Sequence, residues 1–121
     1  MTITAEVEPG TISRTDFATA LVAGTVQAIN VLERPASGVI ALIRGSVHIP
    51  LSELGMRLNA IDRARDVVVY CSDDSSALSK LAVAHLARAG FRVRRYAGGL
   101  EEWDEAGLPV ERFEAQTPLY S

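Results

Sequence analysis

The chain is short of cysteine: one in 121 residues. That excludes an internal disulfide. It also excludes a cysteine-based zinc centre, because His48, His85 and Cys71 stand far apart at no ligand spacing. Basic residues are outnumbered too. Twelve Lys and Arg against fifteen Asp and Glu leave a net charge of −3, without the basic stripe or high pI of a nucleic-acid surface. The cluster Arg92, Arg94, Arg95 reads as the wet side or rim of a short strand. No apolar run approaches the ~18 residues needed to span a bilayer. The N-terminus, Met1 to Glu6, lacks a basic region leading into an apolar core, so no secretory signal is expected. A free thiol in such a chain points to the cytosol. No cofactor, nucleic-acid partner or membrane partner is expected.

What the chain does have is an ordinary globular composition, 48% hydrophobic and 22% charged, at a length that makes one domain with a single layered core. The stretch around which it is organised is Val67-Val68-Val69-Tyr70-Cys71-Ser72-Asp73-Asp74-Ser75-Ser76-Ala77-Leu78-Ser79-Lys80. Its β-branched apolar run reads as a buried parallel strand. Small and acidic residues follow, and then a helical pattern. The lone cysteine therefore sits where a central strand turns into a helix, the edge at which open α/β sheets bind ligands.

In chain order, residues 1–10 read as an extended arm. Ser13 with Asp16 three positions on signals a helix N-terminus. Phe17, Ala20 and Leu21 supply its apolar face, and Gly24 stops it. Val26 to Leu32 is a strand, and Val39 to Ile43 either a brief helix or a strand. Val47 to Ile49 is a short strand closed by Pro50. Leu54, Leu58 and Ile61 share one side of a helix drawn from Leu51–Leu54 and Met56–Ile61. After the cysteine loop, Leu78, Leu81, Ala82, Leu86 and Ala89 form a helical stripe ending at Gly90. Phe91 to Tyr96 is a strand, Leu100 to Ala106 a short helix, and residues 112–121 a polar tail. Strands alternating with helices imply a parallel sheet covered on both faces.

A strand-to-helix loop exposes successive N–H groups, which with the helix N-terminus form an anion nest. A thiol there has its thiolate, the nucleophilic form, stabilised. Asp73 and Asp74 either oppose that by like charge, or point to solvent, or cap the following helix. The plain alternative for Cys71 is a buried, inert thiol, since free cysteine is among the most buried residue types. Tyr70 alternates away from the thiol and should pack. His48, beside Ile49-Pro50, and mid-helix His85 read as structural, and Trp103 as a core anchor. Gly98-Gly99 reads as a turn needing positive φ, with close approach to the cysteine loop as the functional alternative.

Taken together, Ile43-Arg44-Gly45-Ser46-Val47-His48-Ile49-Pro50-Leu51, then Val68-Val69-Tyr70-Cys71, then Gly90-Phe91, Tyr96-Ala97-Gly98-Gly99-Leu100-Glu101-Glu102-Trp103 and Gly107-Leu108-Pro109-Val110 resemble the single-domain rhodanese-like sulfurtransferases over nearly the whole chain. The resemblance implies a three-layer α/β fold with a mostly parallel five-stranded sheet, one domain over residues 1–121. It implies Cys71 as a nucleophile that takes sulfur from a small donor and passes it, through a persulfide, to a thiol acceptor, including a partner protein's thiol. The loop Ser72, Asp73, Asp74, Ser75, Ser76, Ala77 and Leu78 would hold that sulfur. The family's usual arginine, five residues after the cysteine, is Ser76 here. Lys80 is the nearest cation in sequence. The longer spacing from Cys71 to Gly90 resembles an extended-loop subgroup in which a second cysteine can occupy the place of Ser76. Asn30-Val31-Leu32 stands where Asp-Val-Arg is frequent. An acidic loop without arginine predicts weak turnover of thiosulfate.

The competing class is a non-catalytic binding or regulatory module on the same fold. A redox sensor acting through a Cys71 sulfenate is a third class. A phosphatase is disfavoured because the loop lacks the arginine that phosphoryl transfer needs for charge stabilisation.

Overall fold

Alternation along Val67 to Cys71 builds the core. The computed structural model describes residues 10–72 and 77–114. In it β4 (Asp66–Tyr70) is an inner strand of a parallel sheet ordered β3-β1-β4-β5. β1 (Val26–Asn30) runs beside it, with Val26 opposite Asp66 and Asn30 opposite Tyr70. β5 (Val93–Arg95) lies on its other side, with Val67 opposite Val93 and Val69 opposite Arg95. β3 (Ser46–His48) is the outer neighbour of β1. Among the described residues the sheet has four strands and not the expected five; beyond β5 they supply an isolated parallel bridge from Thr11 to Arg95, with Ile12 N donating to Arg95 O at 3.0 Å.

Both faces of β4 are sealed. Val67, Val69 and Cys71 pack with Leu54 of α2 (Leu51–Leu54) and with Ala82 and Leu86 of α3 (Leu78–Arg88). Val68 and Tyr70 pack on the opposite face with Tyr96, with Phe17 of α1 (Arg14–Ala23) and with Trp103 of α4 (Gly99–Glu105). The expected α/β architecture, a mostly parallel sheet with helices on both faces, is the one observed. Ser13 caps α1 as expected, its hydroxyl accepting from Asp16 N at 3.1 Å. Of the apolar face read on that helix, only Phe17 is fully buried. No helix among the described residues is long and apolar enough to cross a membrane.

One open reading is resolved and several local expectations are corrected. Val39 to Ile43 is strand β2, and it pairs antiparallel with β6 (Val110–Glu114), Ile43 opposite Val110. Residues 112–114 are therefore sheet and not tail. Arg112 and Phe113, on opposite sides of the strand by alternation, are both exposed, Phe113 at 49%. Residues 1–9 and 115–121, the rest of the expected arm and tail, lie outside the described residues. Met56 to Ile61 does not continue the helix. α2 ends at Leu54, Gly55 weakens helix propensity at the junction, and Arg57 at φ −113° leads into a 3₁₀ turn, Leu58–Ala60. Leu81, read as part of the buried stripe of α3, is on its outer side. Finally, Arg92 and Arg94 do lie at the wet rim, both reaching Asp66, but Arg95 is only 5% exposed. The bridge at Thr11 covers the strand edge there, and alternation turns Arg95 to the opposite face from Arg94.

Candidate active site

The carboxyl end of β4 delivers Cys71, and seven residues later α3 begins. The side chain falls on the α3 face of the sheet, and Cys71 is 1% exposed. Its Sγ–H donates to Ser79 Oγ at 3.3 Å. Ser79 lies in the first turn of α3 and is equally buried. A hydroxyl is both donor and acceptor. It accepts from the thiol, and after a half-turn of its own proton it can donate to the thiolate. Tyr70, one residue earlier, points the other way as expected. Its hydroxyl accepts from Ile43 N at 2.9 Å and bonds Ser46 Oγ at 2.7 Å.

The N-terminus of α4 closes the site from the side. Leu100 N donates to Cys71 O and Glu101 N to Ser72 O, both at 2.9 Å. Gly99, φ +67°, makes this approach possible: a Cβ there would lie 2.6 Å from Cys71 O and 2.7 Å from Ser72 C and O. Both readings of the glycine pair thus hold at Gly99, a positive-φ turn and a close approach. Gly98 has ordinary helical φ, and the Glu102 carboxylate folds back against it. That carboxylate accepts from Tyr96 OH at 2.6 Å. Burial first, and then the Glu102 carboxylate, push the Tyr96 phenol well above its ordinary value. Burial also raises the Tyr70 phenol. A raised folded-state pKa contributes stability below the unfolded value of about 10, and that contribution is lost as pH rises past it. Thermal stability should therefore fall steeply above about pH 10. Tyr96→Phe should flatten that fall, as read by melting temperature against pH.

The remaining expected site residues divide three ways. Ser72 is half-buried and anchored through its carbonyl. Ala77 and Leu78 lead into α3, exposed and half-buried respectively, while Lys80 is exposed on the flank of the helix. Asp73, Asp74, Ser75 and Ser76 lie outside the described residues. His48 is structural, its Nε2–H donating to Leu32 O at 2.6 Å. Asn30 is buried and holds the chain after β1: its Oδ1 accepts from Leu32 N at 2.9 Å and its Nδ2 donates to Ala41 O at 3.2 Å. His85 is exposed, and Trp103 anchors the core with Nε1–H on Pro109 O at 3.0 Å. A cleft of about 290 Å³ opens at this edge of the sheet, walled in part by Asn30, Leu32, His48 and Leu100.

Ser79 and Arg95 were missed by sequence reasoning. For Ser79 the available signal was a small polar residue on the otherwise apolar face of α3, in register with Ala82 and Leu86. For Arg95 it was strict alternation: if Arg94 is wet, its neighbour faces inward.

The rhodanese-like domain family matches residues 18–106. A sulfurtransferase of Allochromatium vinosum is 34% identical over 80 residues, 65% of this chain and 73% of its own length. An HTH-type transcriptional regulator of Mycobacterium tuberculosis is 39% identical over 69 residues, 57% of this chain but only 30% of the regulator. A Lactobacillus plantarum protein of known structure superposes with a TM-score of 0.77 at 28% identity, covering 84% of this chain and 87% of its own. A rhodanese-related protein of Thermoplasma volcanium gives 0.70 at 27%, covering 84% and 96%.

Proposed function

Since the chain belongs to the rhodanese-like family, we propose that it is a sulfurtransferase whose Cys71 carries sulfur as a persulfide. The observation that carries this reading is the placement of the sole cysteine at the strand-to-helix turn, with a buried hydroxyl 3.3 Å from its sulfur. The Cys71 thiolate attacks the outer sulfur of a donor, thiosulfate or a persulfide. The donor's sulfur–sulfur bond breaks, and the leaving group, sulfite or a thiolate, departs with the electron pair. A thiol acceptor, small or borne by a partner protein, then attacks the outer sulfur of the Cys71 persulfide and regenerates the thiolate. A cytoplasmic setting, where thiols stay reduced, suits this cycle.

Intact-mass measurement after incubation with thiosulfate, a small persulfide or inorganic polysulfide tests the proposal. The expected result is a gain of one sulfur atom that is removed by excess thiol and is missing in Cys71→Ser. No gain with any donor, or a gain that survives in Cys71→Ser, overturns it. Ser79→Ala removes one hydrogen bond to the charged sulfur, worth about 1.5–3 kcal/mol, so the loading rate should drop roughly tenfold or more. Stopped-time mass analysis reads that rate directly.

A second reading is a binding or regulatory module that does no chemistry. Similarity to a segment of a transcriptional regulator and the near-complete burial of Cys71 favour it. A folded protein that fails to load from every donor would belong to this class.

A further inference from the structure

We infer that Arg95 is the cation of the sulfur site, supplied from the neighbouring strand in place of an arginine in the cysteine loop. This assignment rests on Cys71 being the reactive centre.

Three observations place the guanidinium. Arg95 is opposite Val69 in the parallel ladder, and residues paired across a sheet project to the same face. Val69 and Cys71 both lie on the α3 face, and Val93, two residues before Arg95, packs there as well. Arg95 therefore projects under the start of the β4-to-α3 connection, on the side that holds Cys71. Its Cα is separated from that of Cys71 by one strand spacing laterally and one two-residue repeat along the strand. Those are about 4.8 Å and 6.6 Å, a diagonal of roughly 8 Å, which an arginine side chain spans. Lastly, Arg95 is 5% exposed. A guanidinium does not lose its proton in proteins, so it is buried as a full charge that must be met by negative charge or acceptors. Lys80, the cation nearest in sequence, is exposed on the outer flank of α3 instead.

The chemistry calls for such a charge. When thiosulfate is the donor, the Cys71 thiolate bonds the outer sulfur, the S–S bond of the donor breaks, and sulfite leaves with the electron pair. The total charge of the reacting groups is −3 before and after. One fixed cation beside the sulfur attracts the anionic donor and stabilises the persulfide anion that remains. Weak thiosulfate turnover is expected of an acidic loop without arginine; Arg95 supplies the missing cation, while the loop's carboxylates remain.

The test uses two alkylating reagents on the reduced protein, iodoacetate and iodoacetamide. They differ by one negative charge, and the ratio of their rates at Cys71 cancels the thiolate fraction, so it reports local potential. In Arg95→Gln the ratio should fall at least fivefold from wild type, while Arg95→Lys should keep most of it. The apparent KM for thiosulfate should rise in Arg95→Gln and stay near wild type for a neutral organic trisulfide. An unchanged ratio in folded Arg95→Gln overturns the assignment even if sulfur loading persists. A reduced ratio without sulfur loading upholds Arg95 and overturns the transfer reading instead. If Arg95→Gln does not fold, the wild-type ratio is compared with that of N-acetylcysteine amide, a thiol without a neighbouring charge. A ratio above that of the free thiol supports the cation, and one at or below it overturns the cation.

Discussion

Gly99→Ala is expected to destabilise the protein by about 2–6 kcal/mol and to suppress sulfur loading of Cys71 well beyond the loss of folded protein. Two costs act together. An L-residue at φ +67° is strained, by about 1–3 kcal/mol. The new methyl group would also sit 2.6 Å from Cys71 O and 2.7 Å from the Ser72 carbonyl. Those neighbours are backbone atoms and have no rotamer to escape into. Relieving the clash means moving α4 away, which lengthens the Leu100–Cys71 and Glu101–Ser72 hydrogen bonds. Displacing a reactive group by about 1 Å can cost a hundredfold in rate. Gly107→Ala is the control, since Gly107 has φ +78° with nothing within 4 Å of a Cβ. It should show the conformational cost alone, about 1–2 kcal/mol, with loading intact. Denaturant midpoints and loading rates for the two variants separate strain from contact. Equal effects would mean that the close approach at Gly99 does not matter.

Phe17→Ala should cost about 3–5 kcal/mol and lower the melting temperature by roughly 10–20 °C. Phe17 is fully buried at the centre of an aromatic group, with ring centroids 5.1 Å from Tyr96, 5.3 Å from Trp103 and 6.5 Å from Tyr70. Truncation leaves a cavity bounded by three rings that are themselves tethered by hydrogen bonds to Glu102, Pro109 and Ile43. Such a site collapses poorly, and the cost rises with the volume that stays empty. This layer faces away from Cys71. Loading at a temperature where the variant is folded should therefore stay within a few-fold of wild type. A large loss of rate without unfolding would show that the two layers are coupled more tightly than alternation along β4 implies.

Much of the fold was written locally. Ser13 and Asp16 announce a helix start, and the unbroken run Val67 to Tyr70 announces a strand buried on both sides. The small and acidic residues after Cys71 announce the end of that strand, and Leu78 opens α3. The features that escaped are those decided by distant chain. Val39 to Ile43 is a strand because Val110 to Glu114 pairs with it, and nothing within either segment states that pairing. Arg95 reads as surface until Thr11 is seen to bridge across its strand. Gly99 reads as a turn residue, and only the packed structure shows which carbonyls it approaches. Cys71 at the strand end and the approach of Gly99 to its loop were readable along the chain, whereas Ser79 was not, because its contact with Cys71 depends on how α3 packs against β4.

The hydrogen bonds from Leu100 and Glu101 to the carbonyls of Cys71 and Ser72 also have a meaning in time. Their donors emerge during synthesis about thirty residues after the cysteine, and contacts of such separation form after local ones. While the chain is still being made, the thiol has its strand and its loop but lacks the wall that α4 provides. Until residue 101 has left the ribosome those two carbonyls lack their α4 donors, and the β2–β6 pairing that completes the fold waits for residue 114.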